Sequence, residues 1–404
     1  MAKKQIRKLG QVRILVKEEE EEEEEAPIYG DILEAVLSHV PLTHLVAASQ
    51  VSRDWNKAVY SSLRHVNSVK PWLIVHVQST RSPYATTSHA YDPRSAVWVQ
   101  LLQPTTSTTA TATATAATIK YVSALRSSHS TFLYMLSPSQ FAFSSDPLRL
   151  TWHHARAPPL IWRTDPIVAH VGDRVVVAGG ACDYEDDPLA VEIYDLRTRA
   201  WDTCESMPAI LKDSAASISM SIAVHGGEMY VTEKCSGLTY SFDPESKTWR
   251  GPYDLRPDQG VFSTAVGFAD GSLIAVGLLG NSESVKGVKM WKVRGESMEC
   301  KEIGEMPKEL VEKFVGESSC VPSVEVAAMG SFVFLHNPTD PGEVIQCEIA
   351  DGECRWGSVR NAVANDGTRM QRMVIGCSHV DIGDLQRAMA MQGGNLRFAA
   401  KTFV

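Results

Sequence analysis

Apolar positions first fall into a regular order at Asp31. Ile32, Leu33, Val36, Leu37 and Val40 recur on one helical face, with Asp31 placed to cap the first turn and Pro41 ending the run. A second short helix fits Thr43 to Ser49 with Leu45 and Val46, and a third fits Asp54 to Leu63 with Trp55, Ala58 and Val59. Three helices in so few residues bury too little to be comfortable alone, so such a module is expected to lean on a partner.

After Pro71 the helical period disappears and strand-turn-strand blocks replace it. The fullest block runs from Ile167 to Pro208. Ile167 to His170 is followed by a turn at Gly172-Asp173, then Val175 to Ala178 ending in Gly179-Gly180, an acidic loop, Val191 to Asp195, Trp201 and Met207-Pro208. The diglycine after a buried strand allows tight backbone geometry, and Tyr194 and Trp201 are spaced to wedge between neighbouring sheets. The order recurs with losses over Ser219 to Pro257, which keeps Trp249, over Phe262 to Pro307, with Trp291 in the place of Tyr194, and over Val324 to Trp356. Upstream it recurs over Tyr121 to Pro158 and Trp72 to Pro104. Trp98, Trp152, Trp201 and Trp249 stand 54, 49 and 48 residues apart, and the 107 residues to Trp356 fit two repeats with the intervening tryptophan lost near Cys300. Six repeats follow. The first lacks an innermost strand, and the surplus after Met373 (residues 373–377 and 396–404, around a helix from Asp381 to Met391) is expected to supply it and close a ring.

A period near 50 residues, with these glycines and aromatics, resembles the kelch repeat. The helical span is similar to an F-box in the order of Ile28, Asp31, Ile32, Leu33, Val36-Leu37, Val40-Pro41, Leu45, Val51-Ser52-Arg53 and Trp55, with Tyr29 where that family commonly has proline. Together they resemble the plant F-box/kelch-repeat proteins. The resemblance implies a mainly β fold, a six-bladed kelch β-propeller over residues 71–404 preceded by a small three-helix F-box module over 27–70. Residues 1–26, a short basic stretch and the run Glu18 to Glu25, read as a disordered arm. Thr105 to Thr118, almost entirely Thr and Ala, reads as a flexible loop between the first two blades.

Removing the eight charges of Glu18 to Glu25 from a net charge of −9 leaves a nearly neutral folded body, which gives no basic face for nucleic acid. No stretch is apolar enough for a membrane helix. Eight cysteines without a Cys-x-x-Cys pair suit reduced thiols of a cytoplasmic or nuclear protein. His153-His154 and the acidic loop of Asp183, Glu185, Asp186 and Asp187 lack the spacing of metal sites, and no phosphate loop or nucleophile elbow is present. The expectation is therefore no cofactor, no metal and no catalytic residue.

What the resemblance implies instead is a substrate adaptor of an SCF-type ubiquitin ligase, acting without chemistry of its own. Ile28, Ile32, Leu33, Pro41, Leu42, Leu45, Val51 and Trp55 would dock a Skp1-like protein, and through it a cullin. Blade-connecting loops would hold a client protein. The absence of a flavin-binding domain ahead of the F-box places the chain nearer the branch acting on enzymes of phenylpropanoid and flavonoid synthesis than the light-sensing branch. The alternative is a kelch scaffold or cytoskeletal binder outside any ligase, its helices only a cap.

Overall fold

The computed structural model describes residues 30–65, 68–81, 84–102, 119–120, 123–148, 150–183, 186–295, 297–317, 320–364, 371–390 and 397–401. The N-terminal arm, Ile28 and the Thr/Ala tract lie outside the described residues.

Three helices open the described chain: α1 (Asp31–Ser38), α2 (Leu42–Ala48) and α3 (Arg53–His65). Asp31 does not cap α1. Gly30 occupies that position with φ 64°, and Asp31 is the first helical residue. There its charge lies at the favourable positive end of the helix dipole. Pro41 precedes α2, where a missing N–H costs nothing. Ser52 caps α3, its Oγ accepting a hydrogen bond from the Trp55 N–H at 3.2 Å.

Seven antiparallel sheets follow among the described residues; six form the blades of a β-propeller, and the seventh is a two-stranded pairing of Arg163–Thr164 with Ala181–Cys182. Blades two to six run over residues 125–154, 167–204, 220–254, 261–305 and 325–360, each with four strands in sequence order from axis to rim. Blade one draws on both ends of the chain. Its innermost strand is Gln371–Ser378, antiparallel to Trp72–Ser79 with Val75 opposite Ile375, and Arg397–Lys401 pairs with Val97–Leu102 at its rim. This closure joins the last strands to the first, so the ring presents no open blade.

Apolar side chains fill the spaces between blades. Phe132, Tyr134, Phe141 and Phe143 of blade two pack on Val168, Val175, Val177 and Tyr194 of blade three, and comparable clusters lie between the other neighbours. In four consecutive blades the residue pair flanking the outer turn carries stacked or tilted rings: Tyr91 with Trp98, Phe143 with His153, Tyr194 with Trp201 and Phe242 with Trp249, at centroid distances of 5.4, 5.5, 5.1 and 4.7 Å. Blades five and six hold Val293 opposite Cys300 and Ile349 opposite Cys354 at that register. Val293, not Trp291, therefore stands where Tyr194 stands, and His153, not Trp152, takes the tryptophan's place in blade two. Two of the outer tryptophans also reach to the connection leaving the preceding blade. Trp201 Nε1 donates to the Ala157 carbonyl at 2.9 Å, and Trp249 Nε1 to that of Glu205 at 3.3 Å.

Gly179 and Gly180 are irreplaceable by geometry. Both have left-handed φ, 65° and 92°, and a Cβ on them would lie 2.4 Å from the Ala215 carbonyl oxygen and 2.7 Å from that of Thr164.

Candidate functional site

The two ends of the propeller differ in kind. At one, here the turn end, inner strands finish in tight turns such as Gly172-Asp173 and Gly226-Gly227. At the other, the funnel end, inner strands begin and the longer blade-to-blade connections arrive. The helical module sits at the turn end of blade one. Arg94, in the turn between Asp92 and Val97, donates from its guanidinium to the carbonyls of Val40 and Leu37 at 2.6 and 2.9 Å. Those carbonyls, at the end of α1, have no further helical turn to bond them. On the other flank α4 (Ile382–Ala390) packs on α2, with Gln386 Nε2 donating to Ser49 Oγ at 3.1 Å. Leu33, Leu37, Leu42, Leu45, Val46, Val59 and Leu63 share one core with Trp72, Ile74, Val99, Leu148 and Leu385.

That core divides the residues expected to dock a partner. Leu33, Leu42 and Leu45 are buried within the chain, and Pro41 and Trp55 are half-buried, Trp55 lying against the same cluster. Ile32 and Val51 point outward at 68% and 63% exposure. Val36 and Tyr60, which the apolar period did not single out as docking residues, are exposed as well. Ile32 and Val36, one turn apart on α1, form a small exposed apolar face that no described residue covers. Buried Leu33, Leu42 and Leu45 set the shape of the module, and the outward residues are what a second protein would meet.

At the funnel end a cavity of about 340 Å³ opens on the axis, lined by the starts of the inner strands of blades one, two, four and six. Its polar groups are mostly paired. Arg126 forms an ion pair with Asp165, Lys234 Nζ lies 2.6 Å from Glu325 Oε1, and the Tyr134 hydroxyl donates to the Pro166 carbonyl at 2.9 Å. Burial pulls the Arg126 guanidinium below its ordinary pKa, and the positive charge of Arg372 acts in the same direction. Burial likewise pushes the His336 imidazole down to about 4, and its Nδ1 is buried without a hydrogen-bond partner. Among the described residues no group of three or more His, Cys, Asp or Glu is placed to hold a metal ion, and His153 and His154 are both exposed on a two-residue strand. No described helix is long and apolar enough to cross a membrane.

Comparison with known proteins gives three results. Residues 30–67 match the F-box domain family. An F-box/kelch-repeat protein of Arabidopsis thaliana is 42% identical over 378 residues, spanning 90% of this chain and 93% of that protein. The solved structure of YjhT aligns over 68% of this chain and 94% of its own, at 11% identity and a TM-score of 0.35.

Proposed function

Because the chain belongs to the F-box/kelch-repeat family, we propose that it is the substrate-binding adaptor of an SCF-type ubiquitin ligase, its helical module docking a Skp1-like protein and its propeller holding the client. The observation that carries this reading is the outward pair Ile32 and Val51 on a module whose opposite face is sealed into the propeller. A buried core that fixes the helices leaves the exposed apolar residues free to be buried by a partner at about 1.5–3 kcal/mol each. The partner would link the chain to a cullin, and tethering raises the concentration of client lysines near a ubiquitin-loaded enzyme. Bond chemistry is then left to that enzyme, as is general for adaptors of this family. Eight free thiols fit a reducing compartment, cytoplasmic or nuclear.

The test is co-purification of the full chain with a recombinant Skp1-like protein. Ile32→Asp should weaken capture at least tenfold while leaving the thermal unfolding midpoint unchanged, because Ile32 is 68% exposed and lies outside the described core. Leu45→Ala should instead lower the midpoint, costing about 2–5 kcal/mol as a buried leucine. Undiminished capture by Ile32→Asp would move the interface elsewhere, and no capture by the parent chain would leave a scaffold outside any ligase. A client among enzymes of phenylpropanoid or flavonoid synthesis is the finer reading, drawn from the family resemblance alone. Its check is whether the abundance of such enzymes rises in cells lacking this protein.

A further inference from the structure

Among the described residues outside the helical module, the large apolar side chains that stand exposed are Leu160, Ile210, Ile218 and Val321. All four lie in connections that lead from the rim of one blade to the inner strand of the next, which places every one of them at the funnel end. The turn end of the ring is different. Between blades three and four it carries Asp173, Arg174, Arg197, Glu228 and Glu245, tied into ion pairs with one another and with neighbouring groups. Ile218, at 78% exposure, also lines the axial cavity.

The charges in and beside that cavity do not cancel. Asp165 is taken by Arg126 and Glu325 by Lys234. Arg372, at the start of blade one's inner strand, lines the same cavity and has no carboxylate within ion-pair range among the described residues. A guanidinium with no counter-ion among the described residues, close enough to a second one to lower its pKa, is a site short of an anion. The apolar residues standing around its mouth are short of apolar cover.

We propose that the funnel end binds an extended client segment in which an acidic side chain enters the axial cavity to meet Arg372 while flanking apolar side chains cover Ile218 and its neighbours at that end. This deepens the adaptor reading and rests on it only in that the occupant is a client protein. Because the helical module occupies the turn end, the client and the Skp1-like protein would meet opposite ends of the ring and bind together without competing.

The experiment pans a random twelve-residue peptide display library against the full chain and measures enriched, fluorescein-labelled peptides by anisotropy. Enriched sequences should carry Asp or Glu flanked by apolar residues. Their binding should fall at least tenfold with Arg372→Ala, recover in part with Arg372→Lys, fall several-fold with Ile218→Asp and stay unchanged with Arg197→Ala at the turn end. Ile218 supports no core, so its variant reads binding even should Arg372→Ala disturb the inner strand. Enrichment of peptides lacking acidic residues, indifference to both Arg372→Ala and Ile218→Asp, or no enrichment at all overturns the proposal. Capture of the Skp1-like protein by the same variants keeps the two readings apart: retained capture with failed peptide binding sinks this inference and leaves the adaptor standing.

Discussion

His76 shows what a single position can conceal. It lies wholly buried in blade one with Nδ1 2.7 Å from Ser88 Oγ, and burial first, then neighbouring His89, push its pKa from 6.5 to about 3. The unfolded chain takes up a proton at this residue below pH 6.5, whereas the folded chain does not until near pH 3. Stability contributed by the neutral ring is thus complete above pH 6.5 and falls as the pH drops through that window, by at most about 1.4 kcal/mol per pH unit. His129 and His336, half-buried along the axis and both pushed down to about 4 by burial, act in the same direction. Urea unfolding should therefore show a stability loss from His76 alone on the order of 2 kcal/mol between pH 6.5 and 5. His76→Gln, which keeps a polar partner for Ser88, should have a shallower pH slope than the parent, and parallel slopes would refute the assignment. None of these histidines stood out in the sequence, because a histidine within a strand pattern does not announce its depth. The same limit applied to docking residues: Ile32 and Leu33 are adjacent apolar letters, and only the position of blade one decides that one faces solvent and the other the core.

Elements were more legible than single side chains, for a physical reason. Helical and strand periods are local, so all three N-terminal helices emerged from spacing alone, with ends displaced by a residue or two where Gly30 and Ser52, not Asp31 and Asp54, begin the turns. The tryptophan ruler worked wherever a ring was kept to brace the outer turn. It slipped by one residue at Trp152, where His153 takes the register, and by two at Trp356, where Cys354 does, and it went silent where Cys300 fills the same space. What no local period reveals is the joint between module and ring, which rests on Arg94, a buried arginine in a turn of blade one that caps a helix some fifty residues earlier in the chain. Hydrogen bonds from a charged group are worth about 1.5–3 kcal/mol each. Arg94→Ala should accordingly loosen α1 against the propeller while the blades stay intact. Hydrogen exchange would show this as faster exchange of amides in α1 and α2 with unchanged protection of blades three to five. Equal protection of α1 in parent and variant would mean that the shared apolar core alone holds the module.

On the scale of the whole molecule, blade one is where the chain's two ends and its two tasks meet. Its inner strand comes from residues 371–378, its other face receives the F-box helices, and α4 follows the closing strand directly onto α2. Closure and module placement are thereby coupled: the segment that seals the ring also supplies Val380, Ile382 and Leu385 to the core beneath the module. Deleting everything after residue 364 would strip Trp72–Ser79 of its inner neighbour and expose Leu73, Val75 and Val77, which are buried against blade six and the closing strand. At about 1.5–3 kcal/mol for each buried aliphatic side chain, that loss alone rivals the 5–15 kcal/mol that holds a typical domain folded. The truncated chain should therefore lose cooperative thermal unfolding and capture of a Skp1-like protein together, although the F-box sequence is untouched. Co-expression of residues 365–404 as a separate chain should restore both, because the missing strand pairs through backbone hydrogen bonds that need no covalent link. A truncated chain that unfolds at the parent's midpoint, or one that keeps its partner after the ring has melted, would show that the two units stand independently and that the seam in blade one is no more than a point of contact.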